Sequence, residues 1–171
     1  MSLTATAAAV LAYNEIDPVS LIPDATGIQS WIVDRQVLDY EDADFIGGFE
    51  EGNATDDPNL RSSYFALKAL DSLNGLSSIN ATALENFILN CQSADGSWGF
   101  VPGLEAGSMV YSAYACQMLN MQPIFSGALS TLSSSVDPHS QETSPFDWRI
   151  FVVLGIILVA LIAAIYALRM D

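Results

Sequence analysis

The segment 87–119, FILNCQSADGSWGFVPGLEAGSMVYSAYACQML, decides the fold of this chain. Apolar residues at helical spacing lead into Gln92 and predict an amphipathic helix, which an Asp-Gly turn at 95–96 ends. Trp98 follows as an aromatic anchor, and a second helix is predicted from about Ser108, after a Pro-Gly break. The segment therefore predicts two antiparallel helices joined by a tight turn, which is an αα-hairpin.

The same pattern occurs earlier in the chain, which indicates an internal repeat. An aromatic residue stands five positions before a glutamine in both copies, and a glycine and a second aromatic follow in the turn. These positions are Trp31, Gln36, Gly47 and Phe49 in the first copy, and Phe87, Gln92, Gly96 and Trp98 in the second. The first copy has seven extra residues between its glutamine and its glycine, and it has Phe49 in place of tryptophan.

These residues resemble the repeat of the prenyltransferase and squalene-cyclase family, and the resemblance covers roughly the first 125 residues. It implies hairpins stacked side by side in an α/α toroid. It also implies that the glutamine and the turn aromatic tie neighbouring hairpins together, so that they serve structure rather than chemistry. The expected fold is all-α, a partial α/α toroid of about two and a half helical-hairpin repeats, with one further helix in a membrane at the C-terminus.

Apolar periodicity and capping residues predict five helices in the repeat region, alternating between an inner and an outer layer. In the first two inner helices, Ala8 to Leu11 align with Tyr64 to Leu67, at the same separation as Gln36 from Gln92. The predicted spans are Leu3 to Glu15, Asp24 to Val37, Leu60 to Asn74, Asn80 to Gln92 and Ser108 to Asn120.

The segment from Ile150 to Leu168 contains 19 residues without a charge. As a helix it would span about 28 Å, which matches the hydrocarbon core of a bilayer. A polar tether without apolar periodicity precedes it. The chain is therefore expected to comprise a helical-repeat domain at 1–125, a flexible tether at 126–147 and a single-pass transmembrane anchor at 148–171.

The formal net charge is −15, and only Arg35, Arg61 and Lys68 are basic before residue 149. Nucleic acid is excluded as a partner, because binding phosphates needs clustered Lys and Arg. No positively charged signal peptide is present, which favours a cytoplasmic domain. The scarcity of basic residues and the glycosylation candidate Asn53 favour an extracytoplasmic domain at the cell membrane, and this is the orientation that we expect.

Eight carboxylates lie between Asp39 and Asp57 without a basic residue. Such a density requires that the side chains point into water or that a cation neutralises them. The spacing does not match an EF-hand. A solvated loop is the preferred interpretation, and the alternative is a calcium site formed by Asp39, Asp42, Asp44, Glu50 and Glu51.

The catalytic patterns of the resembling family are not found in this sequence. Its zinc enzymes use an Asp, a Cys and a His, whereas here His139 is the single histidine and lies in the tether. Cys91 and Cys116 are not spaced as in the family's Asp-x-Cys ligand pair, and no acid motif of a triterpene cyclase is present. We expect two buried free thiols, because about 12 Å of axial offset is too far for a disulfide. No cofactor is expected.

These observations predict a non-catalytic accessory subunit that docks on integral-membrane partner subunits, or on a second copy of itself, through the repeat domain. One alternative is an isoprenoid-binding or cyclase-like toroid that is completed by oligomerisation, with Tyr64, Phe65, Tyr111 and Tyr114 lining its cavity. The other is a calcium-dependent surface or adhesion module built on the acidic loop.

Overall fold

The computed structural model describes residues 2–16, 22–52, 57–121 and 124–125, all within one compact unit, residues 1–138. These residues contain five α-helices and two single-turn 3-10 helices, Ala43–Phe45 and Leu76–Ser78, but no β-strand. The α-helices are α1 (Leu3–Ile16), α2 (Ala25–Val33), α3 (Leu60–Ser72), α4 (Ala81–Asn90) and α5 (Met109–Leu119). The all-α prediction is confirmed for this part of the chain.

The odd-numbered helices form one layer. Helix α3 lies between α1 and α5 and packs against both, while α2 contacts α3, and α4 packs against the 3-10 turn Ala43–Phe45. This is the layered arrangement of successive αα-hairpins that the repeat predicts. The largest fully buried side chains come from all five helices, from the turn between α2 and α3 and from the segment after α5, and they are Leu3, Ile32, Phe49, Leu60, Leu67, Leu70, Leu84, Phe87, Ile88, Met118, Leu119 and Phe125.

Polar residues cap the N-termini of the four later helices. The side chains of Asp24, Asn59, Asn80 and Ser108 each accept a hydrogen bond from the backbone N–H three residues further on. Each such cap typically stabilises a helix by about 1 kcal/mol. The caps predicted at Asp24 and Asn80 are confirmed, and they begin the same element of successive repeats.

Two outer helices end earlier than the sequence predicts. Helix α2 ends at Val33 rather than Val37, because Gln36 forms an antiparallel bridge with Phe49. In the second repeat, Gln92 forms the equivalent bridge with Trp98, so α4 ends at Asn90. Both ends are therefore set by pairing with the following turn.

Helix α3 ends at the predicted Asn-Gly signal. Asn74 takes the left-handed conformation, with φ of 57°, and the Gly75 N–H donates to the carbonyl of Leu70 at 2.7 Å. The Asn74 N–H donates to the carbonyl of Asp71 at 3.1 Å, which completes a Schellman motif. The left-handed residue is Asn74 rather than the glycine that more often occupies this position.

The seven extra residues of the first repeat pack against α4. The Asn90 side chain donates to the Asp44 carboxylate at 3.2 Å and to the Asp44 carbonyl at 3.4 Å. The Tyr40 and Phe45 rings stack at 5.4 Å beside this contact. The insertion therefore braces the second hairpin, while the Asp39, Asp42 and Asp44 side chains remain exposed.

Three sequence predictions fall outside the described residues, namely the tether 126–147, the anchor 148–171 with its apolar segment Ile150 to Leu168, and the glycosylation candidate Asn53. Among the helices that the structure describes, none is long and apolar enough to cross a membrane.

Candidate functional site

The repeat motif joins one hairpin to the next through Gln36. Its side-chain Nε2 donates to the carbonyl of Gly47 at 3.1 Å and to the carbonyl of Asn80 at 3.0 Å, and its Oε1 accepts from the Asn80 N–H at 2.8 Å. Since Asn80 caps α4, the amide of the first repeat holds the start of the second outer helix. Gln36 therefore links the first turn to the second outer helix.

Gln92 occupies the same position in the second repeat. Its Nε2 donates to the carbonyl of Gly96 at 3.2 Å, as Gln36 donates to that of Gly47. The two bonds that Gln36 makes with Asn80 have no counterpart at Gln92 among the described residues. The second turn is therefore closed on itself in the same way as the first.

The aromatic residue of each turn, Phe49 or Trp98, packs into the core of its own hairpin. Phe49 is fully buried, and Trp98 is 7% exposed with its indole N–H donating to the carbonyl of Ile88 at 3.0 Å. Phe87 of α4 is also fully buried, whereas Trp31 of α2 is half-buried and has the Arg35 guanidinium 5.0 Å from its ring centroid. These side chains serve the packing of the repeat.

Equivalent hydrogen bonds fix the register between the odd-numbered helices. The Ser63 hydroxyl accepts from the Phe49 N–H at 3.0 Å, and Ser112 accepts from the Trp98 N–H at 3.1 Å, so Ser112 of α5 is aligned with Ser63 of α3.

The register of α1 differs from the expected one. The Leu3 N–H donates to the carbonyl of Glu51, and the Leu60 N–H donates to that of Phe100, so Leu3 is aligned with Leu60. The alignment of Ala8 with Tyr64 would instead pair Leu3 with Asn59. That expectation is therefore wrong by one residue, or about 100° of helix rotation.

The aromatic residues proposed to line a cavity are brought together on α3 and α5. Tyr64 and Tyr114 stack at 4.3 Å, Phe65 meets Tyr64 edge-on at 5.4 Å, and Tyr111 meets Tyr114 at 6.3 Å. The Tyr64 hydroxyl donates to the Gln117 side chain at 3.0 Å. All four rings are half-buried, and burial, followed by the proximity of Tyr114, raises the pKa of Tyr64. We name these four residues the aromatic cluster.

The acidic residues considered for calcium binding contact different partners. Glu50 forms an ion pair with Arg35 at 2.8 Å, and Asp42 accepts from the backbone N–H of Asp44. Glu51 lies apart, at the start of α1. The described part of the chain contains no group of three or more Asp, Glu, His or Cys side chains placed to bind one metal ion.

Glu51 has a structural role that the sequence did not indicate. Its carboxylate accepts from the hydroxyls of Ser2, of Thr4 at 2.6 Å and of Ser62 at 2.9 Å, and from the Thr4 N–H at 3.1 Å. Burial acts to raise the pKa of Glu51, but these hydrogen bonds outweigh it, so the pKa lies below its ordinary value. The carboxylate therefore joins the start of α1 to α3, and the run of hydroxyl residues at 2–6 was the available signal.

The two cysteines are free, but only one is buried. Burial raises the pKa of the Cys91 thiol to about 12. Cys116 is exposed on α5, so the expectation of two buried thiols is wrong for this residue. Helical periodicity alone could not reveal this exposure.

Comparison with known proteins agrees with this geometry. The sequence model of the prenyltransferase alpha-alpha toroid domain matches residues 1–144. The chain is also 35% identical over 113 residues to the geranylgeranyl transferase type-1 subunit beta of Arabidopsis thaliana, an alignment that covers 64% of this chain and 29% of that protein. The chain thus spans less than a third of this relative's length. Because the family model matches most of the sequence, the chain belongs to the prenyltransferase α/α-toroid family.

Proposed function

We propose that this protein is a non-catalytic interaction subunit that docks on other subunits of a membrane complex through its prenyltransferase-like repeat domain. The observation that carries the proposal is the exposure of large apolar side chains on the two outermost helices of the odd-numbered layer. Ile16 of α1 is 86% exposed, and Met109 and Val110 of α5 are 89% and 56% exposed. Apolar surface of this kind marks sites of association.

The family relationship supports a role within an assembly. The Arabidopsis relative is by name a subunit, and this chain covers 29% of its length. A protein partner would cover the exposed apolar side chains of α1 and α5.

The non-catalytic part of the proposal rests on the sequence. Zinc chemistry in the resembling family requires an Asp, a Cys and a His, and the single histidine of this chain, His139, lies in the predicted tether. Cys91 is buried, and its raised pKa disfavours the thiolate that a metal needs as a ligand. These features support a role in binding rather than in catalysis.

The proposed membrane attachment rests on the apolar segment Ile150 to Leu168, which would serve as a single-pass anchor and hold the repeat domain on the extracytoplasmic side. Extraction with alkaline carbonate should leave the chain in the membrane fraction. Protease added to intact cells should then digest the repeat domain. Protection until the cells are lysed would place the domain inside.

Isolation from native membranes tests the docking function. After solubilisation in a mild detergent, the chain should elute in an assembly larger than its own mass of 18.3 kDa plus bound detergent. Crosslinking before solubilisation should increase the recovered fraction. Recovery of the chain solely as a monomer under both conditions would contradict the proposal.

The aromatic cluster supports a second candidate function, the binding of an isoprenoid chain. Half-buried aromatic rings on neighbouring helices offer an apolar surface with the negative π-faces that suit an isoprenoid or a developing carbocation. Titration with an isoprenoid alcohol should quench tyrosine fluorescence saturably, and Tyr64→Ala or Tyr114→Ala should weaken binding at least tenfold. Tyr13→Ala, which changes a tyrosine outside the cluster, is the control. Equal binding by all variants would contradict this candidate.

A further inference from the structure

The rings of Tyr64 on α3 and Tyr114 on α5 form the closest aromatic contact in the described part of the chain. Their centroids lie 4.3 Å apart and their planes differ by 14°, so the two rings are stacked almost parallel. Aromatic pairs in proteins more often have centroids about 4.5 to 7 Å apart. Ring atoms from two successive inner helices are therefore in van der Waals contact.

Neighbouring side chains hold this pair in place. Phe65 meets Tyr64 edge-on at 5.4 Å and Tyr114 edge-on at 6.2 Å, so one ring contacts both members of the stack. The Tyr64 hydroxyl donates to the Gln117 side chain at 3.0 Å, which fixes the phenolic end of that ring. The stack is thus already formed in the folded chain.

The phenol groups of the pair also interact with each other. Burial raises the pKa of Tyr64, and the charge of the Tyr114 phenol raises it further. Such an effect requires that the two titrating groups are near each other. The reactive carbons of a phenol are those ortho to its hydroxyl, so the reactive parts of the two rings lie in the same region.

The third tyrosine of the aromatic cluster is placed differently. Tyr111 meets Tyr114 at 6.3 Å with 62° between the ring planes, and it contacts Phe100 at 5.4 Å. A tilted ring at this distance has fewer atoms in contact with its neighbour than a stacked ring has. Tyr111 and Tyr114 are moreover on the same helix, so a bond between them would not join two helices.

A small oxidant can reach the stacked pair. Both rings are half-buried, so part of each ring faces solvent. A tyrosine that loses one electron and its phenolic proton becomes a phenoxyl radical, whose unpaired electron is shared with the ortho carbons. Two radicals held in contact couple efficiently, because positioning replaces the encounter of two separate molecules.

We propose that Tyr64 and Tyr114 are an oxidative modification site, at which hydrogen peroxide and a haem catalyst join the two rings by a dityrosine bond. Each tyrosine loses one electron and one proton, and a carbon–carbon bond forms between one ortho carbon of each ring. The hydrogens on these carbons then move to the two oxygens, which restores both phenols. The peroxide accepts the two electrons and two protons and becomes two molecules of water.

This bond joins α3 to α5 and so links two neighbouring repeats covalently. A crosslink between residues that are far apart in the sequence restricts the unfolded chain and thereby stabilises the folded one. The reaction needs neither a partner subunit nor a membrane, so it goes beyond the proposed docking function and can be tested separately from it.

Oxidation of the full chain in mild detergent tests the proposal. Hydrogen peroxide and a small haem peptide are added to the Cys116→Ser variant, because the exposed thiol would otherwise consume the oxidant. The products should show dityrosine fluorescence, a single-chain mass lower by two hydrogen atoms, and a linked peptide pair that contains Tyr64 and Tyr114. Unfolding the chain in denaturant before oxidation should lower the yield at least tenfold. An equal yield from the unfolded chain would overturn the proposal, because the stack would then not direct the reaction.

Phenylalanine variants provide the matched comparison, because each removes a hydroxyl and keeps the ring. Tyr64→Phe and Tyr114→Phe should each lower the yield at least tenfold, whereas Tyr111→Phe should change it less than twofold. Circular dichroism checks that the three variants are folded. A crosslink that persists in Tyr64→Phe, or crosslinks found only between different chains, would overturn the proposal.

Denaturant titration tests the link between the two helices. The oxidised chain should unfold at a higher denaturant concentration than the unoxidised chain. The oxidised Tyr64→Phe variant, which cannot form the bond, should show no such shift. Unfolding of the crosslinked chain at an unchanged concentration would contradict a covalent link between two packed helices.

Discussion

A β-carbon placed on Gly47 would lie 2.0 Å from the carbonyl oxygen of Ala83, in the first turn of α4. The turn of the first repeat thus approaches the second outer helix so closely that no side chain fits between them. Gly47 also has φ of +103°, a conformation that L-residues rarely adopt. Two independent constraints therefore require glycine at this point.

We expect Gly47→Ala to lower the free energy of unfolding by more than about 3 kcal/mol, because backbone strain of about 1–3 kcal/mol is added to the displacement of α4. Gly96→Ala is the matched control, since Gly96 has φ of +82° but open space around its β-carbon position. Gly96→Ala should lower the free energy of unfolding by the backbone strain alone. Denaturant titration of both variants checks the difference, and equal losses would show that contact with α4 adds nothing.

Gln36 should contribute more to stability than Gln92. Gln36→Leu removes three hydrogen bonds and leaves the carbonyl and N–H of Asn80 without this partner, which should cost about 1–3 kcal/mol. Gln92→Leu removes the one described bond, to Gly96, and should cost about 1 kcal/mol. Thermal unfolding of the two variants should separate them. A larger loss at Gln92 would contradict the described role of Gln36 as the link between hairpins.

The contribution of Glu51 should depend on pH. Its pKa is lowered by folding from an ordinary value of 4.5, so the folded state favours the carboxylate. The stabilisation is therefore fully present above pH 4.5 and is lost as the pH falls through the lowered pKa. The difference in unfolding free energy between wild type and Glu51→Gln should be largest near pH 7 and should shrink at pH 3. The exposed Glu105→Gln is the control, and a difference that does not change with pH would refute this account.

The two thiols should react at very different rates. Cys91 is 1% exposed and its pKa is raised to about 12, so little thiolate forms at pH 8 and the reagent has no access. Cys116 is exposed and should be alkylated by maleimide in the native chain within minutes. Mass spectrometry of native and denatured samples provides the measurement. Labelling of Cys91 before unfolding would show that the core opens at this site.

The elements of the fold could be predicted from the sequence because their signals are local. Helix periodicity, the caps at Asp24 and Asn80, and the Asn-Gly stop after α3 depend on residues within about four positions of each other. The glutamine and turn aromatic of each repeat also recur in the sequence, and their structural role was implied by the family resemblance that these residues carry. Five helices and their order therefore required no knowledge of long-range contacts.

The tertiary structure alone decided what depends on packing between repeats. The one-residue change in the register of α1 rests on the hydrogen bond from Leu3 to Glu51, and the early end of α2 rests on the bridge between Gln36 and Phe49. Cys116 is exposed and Leu67, at the same helical position, is buried, although both continue an apolar stripe. The residue type sets how favourable the burial of a side chain would be. The neighbour that buries it belongs to another hairpin, however, and only the folded chain shows where that hairpin lies.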